Sequence, residues 1–163
     1  MVVMGVDPGL ITTGYGLLQE QGQKIILIEG GVVRTRSCDE LSVRLHLIFS
    51  GISSVIDEFK PDAVSVEKLY SHYKHPKTAI MMGHARGVIY LAAAIRNIPV
   101  ASYGATEIKQ SITGRGRASK EQVQFMMSKE LGLHVLPEPY DVTDALAIAL
   151  THINMRKKEM FKS

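Results

Sequence analysis

Four carboxylates carry the chemistry this chain is equipped for: Asp7, Glu67, Asp141 and Asp144. Asp7 closes an apolar run, Met1 to Val6, and is followed at once by Pro8-Gly9. Glu67 closes a second run, Ala63-Val64-Ser65-Val66, and Asp141 and Asp144 open the last helical stretch. Their i, i+3 spacing puts both on one helix face. A carboxylate at the end of a buried strand is expensive unless a metal, a base or water offsets it. Carboxylates converging on divalent ions about 3.5–4 Å apart make a two-metal phosphodiesterase, one ion activating the attacking water and the other stabilising the leaving oxygen. Mg²⁺ takes few carboxylates and keeps several waters, so a small set of acids is sufficient.

Each acid alone has a plainer structural reading. Asp141-x-x-Asp144 is also what an N-cap with an acid in the first turn looks like. Glu67 could pair with Lys68 or Lys109, and Asp7-Pro8-Gly9 could be only a turn. The order of all three signals along the chain favours metal.

The elements that must position these acids follow from periodicity. Val2 to Asp7 reads as a central strand buried on both faces. Gly9 and Gly14 to Gly16 predict a tight turn into a second strand, Tyr15 to Gln19. A hairpin at Glu20-Gln21-Gly22-Gln23 leads into a third strand, Lys24 to Arg34. Ser37-x-x-Glu40 fits a capping box, and Leu41, Leu45, Ile48, Phe49, Ile52, Val55, Ile56 and Phe59 recur at helical spacing. Lys60-Pro61-Asp62 stops that helix before the strand Ala63 to Glu67. A polar loop, Lys68 to Lys77, precedes a helix over Thr78 to Asn97 rich in small residues. A short strand, Ile98 to Tyr103, and a helical turn, Thr106 to Ile112, come next. Ser119-x-x-Gln122 caps a helix reaching Leu131, and the last helix spans Val142 to about Lys157. The expected architecture is α/β, a mixed five-stranded sheet with helices on both faces. One domain covers 1–157 and a tail 158–163.

Composition sets the outer limits. The 163 residues are 45% hydrophobic and 21% charged with a net charge of +3, and the pI is near 9.0. That describes a globular, mildly basic chain compatible with nucleic acid. The single cysteine, Cys38, rules out an internal disulfide framework and suits a reducing compartment. The longest apolar stretches carry Arg, His or Asp, so no membrane span is expected. A cytoplasmic protein is the expectation.

Two segments have the character of a nucleic-acid surface. Lys109, Arg115, Arg117 and Lys120 cluster beside Gly114 and Gly116, where cations neutralise phosphates and glycine lets the backbone approach them. Lys68-Leu69-Tyr70-Ser71-His72-Tyr73-Lys74-His75 interleaves aromatic and basic residues directly after Glu67, as stacking on exposed bases requires. His72 and His75 read as a hydrated loop, since no further histidine lies at metal-ligand spacing. Arg86 either bridges to the acids or only packs. The small-residue surface from Met81 to Ala94 is either core or a symmetric contact between protomers.

Val6-Asp7-Pro8-Gly9 with Gly14-Tyr15-Gly16, the strand end Val66-Glu67, His84-Ala85-Arg86-Gly87, and Asp141-x-x-Asp144-Ala145-Leu146-Ala147-Ile148-Ala149 resemble the bacterial Holliday junction resolvases of the RuvC family, from about Met1 to Asn154. The resemblance implies a ribonuclease H-like fold and a homodimer that nicks four-way DNA junctions in pairs, in recombination and repair. It implies Mg²⁺, with two ions per site and Mn²⁺ as a substitute, held by Asp7, Glu67, Asp141 and Asp144 as catalytic and metal-binding residues. Some members carry His at the place of Asp141, so that position is the one expected to tolerate replacement best. It further implies that Lys109 and Lys120 support binding or catalysis, that Tyr70 meets DNA at the crossover, where the family more often has Phe, and that a branch-migration helicase is a partner.

Three other functions compete with this one. Asp7-x-Gly9 with Gly14 and Gly16 is similar to the first phosphate loop of actin-like ATPases and sugar kinases, but a second such domain is absent from the sequence. A non-catalytic junction-binding protein would be favoured by loss of an acid, and none is lost. A ribonuclease H-like nuclease acting on RNA or other branched DNA shares the same chemistry.

Overall fold

The computed structural model describes residues 1–69 and 76–160. Its elements are β1 (Val2–Asp7), β2 (Thr12–Gln21), β3 (Lys24–Arg34), α1 (Leu41–Phe59), β4 (Ala63–Glu67), α2 (Pro76–Ala94), β5 (Val100–Tyr103), α3 (Ala105–Thr113), α4 (Lys120–Leu131) and α5 (Tyr140–Met160). The sheet order is β3-β2-β1-β4-β5. β1, β2 and β3 form an antiparallel meander, while β1–β4 and β4–β5 are parallel. The expected mixed five-stranded sheet is therefore present, with helices on both faces.

The strand period of two divides the core. Met4 and Val6 of β1 and Val64 and Val66 of β4 face α1 and α2, packing with Ile48, Ile52, Ile56, Ala85 and Ile89. Val3 of β1 and Leu18 of β2 face the other way, toward Val142, Leu146 and Ala149 of α5. Asp7 and Glu67 have the parity of this second set, so both acids lie on the α5 side of the sheet. Ser65 confirms that parity: its hydroxyl donates to the Ile148 carbonyl at 3.3 Å. α5 is buried on two sides, against the sheet and against Ile108, Ile112 and Met127 of α3 and α4. That is why a nearly unbroken apolar run, Ala145 to Leu150, is a helix here.

α5 lies unusually close to the sheet because glycines pave its path. Gly5, Gly16 and Gly30 are register partners across β1, β2 and β3. A Cβ on Gly5 would overlap the Ala145 carbonyl oxygen and stand 2.7 Å from the Ala149 nitrogen. One on Gly16 would reach Leu146 Cδ2 at 2.5 Å, and one on Gly30 would reach Val142 Cγ1 at 2.6 Å. Gly14, opposite Asp7 in register, would meet the Asp141 backbone and its Cβ, the latter at 2.8 Å.

Several expected boundaries move. β2 begins at Thr12, so Gly14 to Gly16 lie within a strand, where they serve close packing and make no turn. Ser37 does not cap α1. Residues 36–39 form a separate turn closed by the Arg36 guanidinium on the Asp39 carboxylate at 2.8 Å, and Glu40 stands at the N-cap without a side-chain bond. α2 ends at Ala94, three residues early, and Asn97 takes φ +56° beyond it. α5 runs from Tyr140 through Met160, beginning two residues before the expected Val142 and continuing past Lys157 into the expected tail; Lys157 reaches Glu20 at 3.4 Å. The Ser119–Gln122 capping box of α4 is present as expected, Gln122 N–H donating to Ser119 Oγ at 3.3 Å.

Candidate active site

Asp7 and Glu67 are the last residues of the parallel neighbours β1 and β4, so both acids stand at one end of the sheet. Ligands of open α/β sheets gather at that end. The first turn of α5 passes the same end, carrying Asp141 opposite Gly14 and Asp144 one turn further on. Acids from three separated stretches are thereby brought together electrostatically. The Asp7 carboxyl is pushed up to about 7, first by burial, then by the charges of Asp144, Glu67 and Asp141. Glu67 is raised by burial and by Asp144, and partly relieved by the Arg86 guanidinium. Asp144 is also raised by burial, with Lys120 opposing the shift.

The sign of this strain is testable without substrate. A carboxyl whose folded pKa lies above its unfolded value binds protons more tightly when folded, so its penalty appears as pH rises above the unfolded value near 3.8 and is complete above about 7. Metal-free Asp7→Asn is therefore expected to melt higher than the parent at pH 8, by at least about 3 °C. The gap should close toward pH 4. Equal melting temperatures at pH 8 in EDTA would remove the electrostatic conflict inferred here.

Cations border the acids. Lys120 Nζ lies 3.5 Å from Asp144 Oδ2, both side chains half exposed. It also stands 4.6 Å from the centre of the Tyr140 ring. Lys109, Lys120, Glu67 and Asp144 line one cavity of about 250 Å³, whose apolar wall is Ile108, Val123, Ala147 and Ile148. Lys68, named above as a possible partner of Glu67, turns instead to Glu107 at 3.1 Å. No ion pair links Glu67 to Lys109 among the described residues, so Glu67 stays with the other acids. Arg115 faces a different depression, with Glu121 and Phe125. Arg117 is exposed. Neither arginine is brought to the acid cavity. Tyr70, with His72, Tyr73 and His75, lies outside the described residues.

One feature escaped the sequence reading. Tyr140, directly before Asp141, is 63% exposed beneath Lys120; an aromatic abutting an acid was the available signal. Arg86, left open above, is held by Tyr90 Oη at 2.7 Å and Ser102 Oγ at 3.2 Å, close enough to Glu67 to favour its charged form.

The donor set suits a hard divalent cation. It is all oxygen, all carboxylate, and short of positive charge at its centre. Among the described residues no three His, Cys, Asp or Glu side chains close on a single point. Mg²⁺ binds through one or two carboxylates and keeps its waters, so it does not demand such a cage.

A mixed sheet in this order, flanked by helices and bearing acids at the ends of its two central parallel strands, defines a ribonuclease H-like nuclease. Similarity to known proteins identifies which kind. The family model for crossover junction endodeoxyribonuclease RuvC matches residues 3–152. A relative of that name from Rhodopirellula baltica is 47% identical over 91% of this chain and 83% of its own length. The structure of Thermus thermophilus RuvC superposes with a TM-score of 0.92 at 36% identity, covering 98% of this chain and 97% of that one. The same enzyme in complex with a Holliday junction substrate also gives 0.92 at 36% identity, over 98% and 96%. The chain belongs to the RuvC family, and its activity is that of a crossover junction endodeoxyribonuclease acting on Holliday junction DNA.

Proposed function

We propose that this protein cuts the junction at the cleft formed by Asp7, Glu67, Asp141 and Asp144, which hold Mg²⁺. The family is generally metal-dependent. The observation that carries the assignment is the convergence of Asp7 and Glu67, at the ends of adjacent parallel strands, with Asp141 and Asp144 in the first turns of α5, so that three acids press on the partly buried Asp7 carboxyl. Bound divalent metal supplies a water made nucleophilic at neutral pH and a Lewis acid for the leaving oxygen. Asp7, central among the acids, is the principal ligand. Glu67 and Asp144 complete the set from either side, and Asp141, at the α5 N-terminus, helps to place metal or water.

Lys109 and Lys120 hold the scissile strand by its phosphates and offset the charge of the acids. Arg115 and Arg117, further out, take the flanking backbone. Tyr70 meets the crossover by stacking. The Asp7→Asn melts described above extend to the metal: adding Mg²⁺ should raise the melting temperature of the parent and leave that of Asp7→Asn nearly unmoved.

Paired nicks in equivalent strands need two sites related by symmetry, and α2 offers the surface for a homodimer. Its inner face buries Ala85, Ile89, Ala92 and Ala93, while Ile80 is 62% exposed and Leu91 51%. With exposed His84 and Gly87 between them, and Ile95, 58% exposed, just beyond, they make an outward stripe at helical spacing. Gly87 leaves open space where a second helix could approach. An isologous contact along this stripe makes the dimer. Sedimentation of Leu91→Asp is expected to show a monomer, whose residual nicks on the two strands are no longer paired. A Leu91→Asp protein that stays dimeric would move the interface elsewhere. The branch-migration helicase is proposed as a further partner, and the cytoplasm as the compartment.

A further inference from the structure

A second electropositive pocket lies at the same end of the sheet as the acids, but on the face of α1 and α2. It measures about 340 Å³ and is lined by Leu10, Ile11, Arg44, Lys77, Thr78 and Met81. Leu10 follows Asp7 by one tight loop, and α1 and α2 both point their N-termini here, because each leads into, or follows from, the acid end of a strand parallel to β1.

Arg44 is the unusual member. It sits in the first turns of α1 and is only 8% exposed. Its Nε donates to Thr35 Oγ1 at 3.1 Å, and the Thr35 hydroxyl in turn donates to the Leu10 carbonyl. That chain fixes the guanidinium and uses one of its nitrogens. The two terminal amino groups make no hydrogen bond or ion pair among the described residues. Asp39, a nearby acid, is already held by the Arg36 fork at 2.8 Å. These amino groups keep some access to the pocket, and a planar fork of donors matches a phosphate or carboxylate. Lys77 and Thr78 add an ammonium and a hydroxyl at the first turn of α2, a turn with no acidic residue and at the positive end of the helix dipole, which favours anions.

We propose that Arg44, Lys77, Thr78 and the α2 N-terminus bind a backbone phosphate of the DNA substrate, on the far side of the strand ends from the catalytic acids. The pocket is an anchor that sets where a strand leaves the active site, and it takes no part in the chemistry. It rests on the junction-binding reading above, and the test separates the two.

Junction binding is measured by fluorescence anisotropy in EDTA, over a range of salt, for the parent, Arg44→Gln and Lys77→Gln. Each variant is first shown to be folded by circular dichroism and thermal melting. Each is expected to bind about tenfold more weakly at moderate salt and to lose about one unit from the slope of log affinity against log salt, as removal of one phosphate contact requires. The Thr78 amide signal should also move on titration with inorganic phosphate in the parent. Parent-like affinity and slope in Lys77→Gln, or in folded Arg44→Gln, would overturn the proposal. An inorganic-phosphate response without any effect on junction affinity would overturn it too, leaving a free-anion site. If Arg44→Gln does not fold, Lys77→Gln decides alone. A parent protein that fails to bind the junction would instead refute the function on which the pocket rests.

Discussion

Replacing Asp7 by Asn should lower junction cleavage at least about 10³-fold while leaving junction affinity unchanged or slightly improved. The substitution is nearly isosteric, so the packing between β1 and the first turn of α5 survives. What is lost is the charge at the centre of the cluster. Asp7 is the acid on which Asp144, Glu67 and Asp141 all press, so it has the most to gain from a cation and the most effect when it cannot hold one. Binding should survive because the phosphate contacts are proposed to belong to cations such as Lys109 and Lys120, and removing a negative charge near the backbone reduces repulsion. Cleavage by Asp7→Asn within tenfold of the parent would place the active centre away from the strand ends. A Glu67→Gln variant serves as the comparison on the neighbouring strand, with a loss of similar direction.

Gly14→Ala should cost about 10²-fold in cleavage, although the added methyl touches no substrate. Gly14 is paired with Asp7 across β1 and β2, and a Cβ there would run into the backbone of Asp141. Backbone cannot rotate aside as a long side chain can, so the first turn of α5 must lift from the sheet. That displaces Asp141 and Asp144 relative to Asp7, and a shift near 1 Å in a catalytic constellation costs on the order of 10²-fold. Overpacking should also lower stability by about 1–3 kcal/mol. The two losses separate on measurement: far-ultraviolet circular dichroism and junction binding report the fold, and single-turnover cleavage reports the acids. Parent-like cleavage would mean that α5 tolerates displacement and that the glycine trough is unrelated to catalysis.

The trough also shows where sequence reading stops. The apolar runs of β1 and β4, each ending on an acid, were legible because a strand buried on both faces reads as a nearly continuous apolar run and the acid marks where it ends. The α4 cap was legible because Ser119 and Gln122 satisfy each other locally. Gly14 and Gly16 were misjudged as turn residues, since glycine at a turn and glycine under a crossing helix look alike until the helix is placed. Ser37 failed as a cap because Arg36 closes on Asp39, a competition between neighbours that the capping pattern does not encode. The possible pairing of Glu67 with Lys68 failed because successive strand residues point to opposite faces, and Lys68 leaves β4 for Glu107. Arg44 was overlooked although it stands in the i, i+4, i+8 row with Ile48 and Ile52, at the edge of the buried face of α1; Thr35 and the β1–β2 loop packing over it complete the burial.

The central claim, that the four acids cut a Holliday junction with the help of divalent metal, is tested most directly on a four-way junction labelled on each strand in turn. Parent protein is compared in Mg²⁺ and in EDTA, beside a linear duplex of the same sequence. The prediction is nicks at equivalent positions in two opposed strands of the junction, none in the duplex, and none of either in EDTA. Cleavage that persists undiminished in EDTA, or that proceeds equally on the linear duplex, would contradict it.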